Sequence, residues 1–180
     1  MFKSTEEAMR KTQEKLAGTL KELPAVVGEA AKNFTLENFE RQAWLGNTAE
    51  NWQKRKNPTK WGKADETDRA ILIKTGKLKH SIRWQAVEGE PAVYLIAGGA
   101  DVPYAKAHNE GFRGAVNQTV KPDIRKMKDG RNIGVSEFQR TIQQNIPKRK
   151  FMGYESESPY LRAKIRREVL AHFRNRMKTL

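Results

Sequence analysis

The chain contains no cysteine. That absence excludes disulfides, thiolate zinc sites and a cysteine nucleophile, and it suits a reducing compartment. Histidine is nearly as scarce: His80, His108 and His172 are the whole complement, and no two stand at metal-ligand spacing. No apolar run approaches the ~18 residues of a membrane span. The opening Met1-Phe2-Lys3-Ser4-Thr5-Glu6-Glu7 lacks the apolar region of a signal peptide, so a soluble protein with no membrane partner is expected. The phosphate-binding patterns G-x-G-x-x-G and G-x-x-x-x-G-K-[ST] are missing, and Gly98-Gly99 after a strand does not replace them. Asp65, Glu66 and Asp68 cluster, but no second acidic block accompanies them as two-metal nuclease chemistry requires, and a solvated loop is the plainer reading. In His108-Asn109-Glu110 the imidazole and carboxylate stand two residues apart. On a helix they would not face each other, which favours packing or capping over a base with an orienting acid. No enzyme, no metal and no cofactor is expected.

Acidic residues are outnumbered, 21 against 35 Lys and Arg, a net charge of +14. The excess is uneven: residues 121–150 hold nine Lys or Arg against three acids, and residues 160–180 hold seven against one. Such a field attracts polyanions, nucleic acid above all; a solvated basic surface accounts for it equally well. At 180 residues the chain fits one domain (1–180) able to bury ~70% of its unfolded surface.

The patterning predicts an α+β fold. Residues 1–46 form a helical N-terminal part. One helix runs over 4–22, with Ser4 or Thr5 as cap and Met9, Leu16, Leu20 and Leu23 on one stripe. Pro24 interrupts or kinks it, and a second helix carries Val27, Ala30, Phe34 and Phe39 and ends near Gly46. Residues 47–157 form a small antiparallel sheet with a long protruding hairpin. A polar loop over 47–68 is anchored by Trp52 and Trp61. Thr75 caps a short turn that carries Leu78 and Ile82 inward. Ile82, Trp84 and Ala86 alternate as a strand, and 93–97 is its hairpin partner. Pro103 opens a short helix through Asn109, closed by Gly111. Residues 112–145 show no helical stripe. Val116, Gln118 and Val120 alternate, Ile133 and Val135 return, and residues 126–132 around Asp129-Gly130 make a basic hairpin tip. Residues 158–180 form a C-terminal helix, with Ser158 as cap, Pro159 in its first turn, and Leu161, Ile165, Val169 and Phe173 as its apolar face. Trp52, Trp61 and Trp84 could stack on bases beside basic groups; core packing is the expected role.

Four short blocks occur in fixed order: Trp52; Ile71-Leu72-Ile73-Lys74-Thr75-Gly76-Lys77-Leu78-Lys79-His80-Ser81-Ile82; Pro103-Tyr104-Ala105-Lys106-Ala107-His108-Asn109-Glu110-Gly111; and Ile146-Pro147-Lys148-Arg149-Lys150-Phe151-Met152-Gly153. In the last block the proline favours an extended turn, Arg149 can make planar bidentate contacts, and Phe151 can plug a pocket. Together the blocks resemble the phage virion morphogenesis and tail-completion proteins of Mu-like and other tailed phages, over residues 52–153. Lys150 stands where that family has proline.

The resemblance implies a structural subunit of the virion, at the neck or the head-proximal tail end, made in the host cytoplasm. It would form a homo-oligomeric ring, commonly of six copies. Such a ring meets other neck or tail-tube proteins and lets genomic DNA pass through its lumen without sequence readout. On that reading Trp52, Leu78, Tyr104, His108 and Phe151 are structural anchors. Arg125, Lys126, Lys128, Arg131 and Arg149 then face a subunit interface or the DNA channel. The rival reading is a stand-alone, non-specific nucleic-acid-binding protein, which explains the charge but not the ordered blocks.

Overall fold

A computed structural model describes residues 2–54, 70–90, 92–127 and 129–178, with Phe2, Lys3 and Arg125 described as backbone only. The architecture is α+β. A 40-residue helix α1 (Phe2–Arg41) opens the chain, and the predicted break at Pro24 does not occur. Proline removes one backbone donor and costs about 3 kcal/mol inside a helix. Here the helix is clamped on both sides of it by the C-terminal helix α4 (Pro159–Met177). Glu37 pairs with Lys164, while Glu22 pairs with Arg176, Nε to Oε2 at 2.9 Å, and lies 3.0 Å from His172 Nε2. The helix begins before Ser4 and Thr5, so neither caps it.

The helix ends at Arg41 rather than near Gly46, because Gln42 turns left-handed (φ 55°). A small hairpin follows, β1 (Ala43–Leu45) against β2 (Ala49–Asn51), where a polar loop was expected. Trp61 and the acidic cluster Asp65, Glu66 and Asp68 lie outside the described residues. A short helix α2 (Lys77–His80) buries Leu78, and Ile82 is buried just beyond it. Gly76 at φ 74° stands at its N-terminus, not Thr75. Next come β3 (Arg83–Ala86) and β4 (Val93–Ile96), an antiparallel pair lying on α1. Trp84 closes this contact: its indole N–H donates to Glu29 Oε1 at 2.7 Å. Its ring lies so near Gly28 that a Cβ there would fall 2.3 Å from Trp84 Cδ2. The helix α3 (Ala105–Glu110) follows, starting two residues after Pro103.

The rest of the sheet structure is an arm. Strands β5 (Phe112–Val120) and β8 (Phe138–Ile146) pair over their full length, from Phe112↔Ile146 to Val120↔Phe138. Beyond them β6 (Asp123–Lys126) and β7 (Asn132–Val135) form a second ribbon closed by a turn through Asp129 and Gly130. Pro122 lacks the N–H that would continue the ladder, which separates the two ribbons.

Two apolar clusters hold the body. Phe39, Trp52, Leu78, Ile82, Val102, Ala105 and Phe151 form one. Ala31, Phe34, Trp44 and Leu161 form the other, where α4 meets α1. Ser158 caps α4 by accepting the Leu161 N–H at 3.0 Å, and its hydroxyl donates to the Leu45 carbonyl, tying the helix start to the β1–β2 hairpin.

Candidate functional site

The four sequence blocks, far apart in the chain, converge on one junction at the root of the arm. Leaving β8, the strand enters an extended stretch, 147–153, whose backbone polar groups find partners on three other elements. The Arg149 N–H donates to the His108 carbonyl at 2.8 Å. Trp52 Nε1 donates to the Lys150 carbonyl at 2.7 Å. The N–H groups of Phe151 and Met152 both donate to Asn109 Oδ1, each at 3.0 Å. Asn38 Nδ2 donates to the Phe151 carbonyl at 3.1 Å. An extended segment inside a body needs such substitutes for a ladder, because buried backbone groups are seldom left unpaired.

Packing supplies the other half of the junction. Phe151 is 0% exposed, and its ring lies 5.1 Å from that of Phe39, which meets the Trp52 indole edge-on at 5.3 Å. Such ring pairs contribute ~0.5–1.5 kcal/mol beyond area burial. Lys150 lays its ammonium 4.7 Å from the Trp44 ring centroid and 2.5 Å from Glu157 Oε1. That ammonium holds the Glu157 carboxyl below its usual range.

Trp52, Leu78, Tyr104, His108 and Phe151 thus meet in one place, Trp52, Leu78 and Phe151 in the buried cluster and Tyr104 and His108 beside it. Arg149 joins them rather than the arm. It is only 7% exposed, and its Nε donates to the Gln53 carbonyl at 3.1 Å. A buried guanidinium fixed to backbone braces the junction within the chain. Tyr104, His108, Leu78 and Arg149 line a cleft of about 440 Å³ with Ile71 and Lys77. His108 packs edge-on against Tyr104 at 5.7 Å, and its buried Nδ1 has no hydrogen-bond partner among the described residues. Burial, and then the nearby Arg149 charge, hold its imidazole below the ordinary pKa. Among the described residues no three His, Asp or Glu side chains converge as metal ligands.

Sequence reading missed three polar hubs: Asn38, Gln42 and Asn109. Asn38 lies on α1 and, fully buried, links Phe151 to β1. The Gln42 carbonyl accepts from the Trp52 N–H at 2.8 Å, while its side chain bridges Phe39 and Ile71. An amide on a helix looks like any solvated residue, so only the position of Asn109 beside His108 gave a signal.

Lys126 and Arg131, at the tip of the arm, lie apart from this junction. Lys126 is exposed near the tip. Arg131 is bound to Asp129 Oδ2 through Nη2 at 2.7 Å and Nε at 2.9 Å, which compensates its charge and lowers the Asp129 pKa. Arg125 is paired through its backbone to Ile133, and Lys128 lies outside the described residues.

The model of the phage virion morphogenesis family matches residues 2–173, nearly the whole chain. The chain belongs to that family. No curated protein and no solved structure matches it. Membership makes this a phage virion protein with a part in building the particle, and the match takes in α1 and most of α4 as well as the four blocks. Among the described residues no helix is long and apolar enough to cross a membrane.

Proposed function

We propose that this morphogenesis protein is a structural subunit, not an enzyme. It completes the tail or joins it to the head as a homo-oligomeric ring, commonly of six copies, around the DNA channel. Its station is the neck or the head-proximal end of the tail, reached from the host cytoplasm during assembly. Its partners are copies of itself, neighbouring neck or tail-tube proteins, and genomic DNA held without sequence preference. The observation that carries this reading is the junction: the family blocks brace the root of a long arm, and nothing in them is arranged as a reacting pair. An arm clamped at its base, whose strands pack chiefly on each other, is built to reach another molecule. The test is removal of the gene from the phage. Unjoined heads and tails, restored by the gene in trans, are expected; joined, infectious particles would overturn the reading.

The +14 charge favours a second reading, a stand-alone nucleic-acid-binding protein. The two differ in solution. The structural subunit forms closed oligomers and binds DNA weakly, without sequence preference, with affinity falling steeply as salt rises. A monomer with tight, sequence-specific binding that survives high salt would decide for the rival.

A further inference from the structure

The tip of the arm and a groove on the helical pair complement each other. At the tip Ile124 is 73% exposed, Ile133 48% and Met127 46%. In the β6–β7 register Ile124 stands opposite Gly134 and Ile133 opposite Arg125, so the two isoleucines lie on opposite faces of the ribbon. A flat surface would cover only one of them. Apolar groups on both faces suit a plug that enters a cleft, and Lys126, on the Ile124 face, gives the plug a positive charge.

The cleft lies between α1 and α4. It encloses about 480 Å³, within the ~300–1,000 Å³ of binding clefts. Val26 and Leu36 give it apolar floor, and Glu29, Glu37, Glu40 and Glu168 ring it, with Lys164 the one cation in its lining among the described residues. Lys164 is held by Glu37. Lys32, Lys79 and Arg167 reach Glu29, Glu40 and Glu168 at 3.6, 3.4 and 3.0 Å from beyond the lining. Exposed pairs of this kind contribute about 0–1 kcal/mol each, and an incoming ammonium can displace them.

Within one chain β6 and β7 pack chiefly on each other, while the groove belongs to α1 and α4. A plug and a socket on different parts of one chain make a heterologous contact, and repeating it closes a ring when the rotation allows. We infer that Ile124, Met127 and Ile133 of one copy seat in the groove of the next, with Lys126 against the Glu40 and Glu168 carboxylates. The inference rests on the ring reading and supplies its contact.

Charge exchange in the full-length protein tests it, with oligomer mass read by light scattering after gel filtration. Lys126→Glu and Glu40→Lys are each expected to weaken association about tenfold or more, and the double variant to restore most of it. Both side chains are exposed, and unchanged melting temperatures confirm that each variant folds. Single variants that assemble like the wild type, or a double variant no better than the worse single, would overturn the plug-and-groove contact and leave the ring standing. A wild-type chain that is monomeric at every concentration would remove both.

Discussion

Asn109 Oδ1 accepts two consecutive backbone N–H groups, those of Phe151 and Met152, at 3.0 Å each. One carbonyl oxygen on α3 therefore does for the 147–153 segment what a neighbouring strand does for a sheet. The arm leaves and re-enters the body on either side of this contact, through Gly111 and Ile146, so the junction fixes where the arm points. At Gly111, φ 82°, a Cβ would press on Lys148 N at 3.1 Å; only glycine lets the outgoing and returning chains pass this closely.

Asn109→Ala is expected to lower stability by about 2–3 kcal/mol, since two donors are left without an acceptor in a partly buried site. Asn109→Asp keeps the oxygen and should retain most of that stability. Chemical denaturation of both variants checks this; equal losses would mean that the side chain acts by volume alone.

Phe151→Ala should be more damaging. Truncating a fully buried phenylalanine costs ~3–5 kcal/mol, a large part of a typical ~5–15 kcal/mol. Thermal unfolding should show a fall of roughly 6–20 °C. Lys150→Ala removes an ion pair to Glu157 and a contact with Trp44. It should cost about 1 kcal/mol. A Phe151→Ala protein that melts with the wild type would remove the anchor role.

Stability should also fall on mild acidification. His108 has a lowered pKa in the fold, through burial first and Arg149 second, against about 6.5 when unfolded. Below that value the unfolded chain binds the proton more readily, so stability drops as pH falls and levels off below the folded pKa. Melting temperatures between pH 8 and pH 5 should show this step, and His108→Gln should flatten it. An equal slope in both proteins would assign the effect to other groups.

Much of this was legible in the sequence because the residues concerned act locally. The Ser158 cap, the apolar face beginning at Leu161, the Asp129-Gly130 tip and the inward Leu78 and Ile82 follow from short-range pattern. What failed depended on distant partners. Pro24 reads as a break until α4, more than a hundred residues later, is seen to hold both flanks of it. Nor does a basic residue within 146–153 reveal from sequence that the Arg149 guanidinium is buried, its Nε donating to the Gln53 carbonyl almost a hundred residues away. The predicted loop after Gly46 becomes half of a hairpin because Trp52 is drawn back to the Gln42 carbonyl, a contact with no periodic signature.

The arm's outer ribbon can be removed without touching the junction. Val120 and Phe138 are directly paired at the end of the β5–β8 ladder, so residues 121–137 can be replaced by Asn-Gly, which closes a two-residue hairpin in a type I′ turn. The excised part packs chiefly on itself. The shortened chain should therefore melt within ~3 °C of the wild type, as changes remote from a core usually do. Assembly should suffer far more than folding: a monomer in solution, and heads and tails left unjoined when it replaces the wild-type protein in infected cells. Loss of folding would show that the outer ribbon supports the body. A stable, shortened chain that still completes particles would show that the reach of the arm is not what assembly uses.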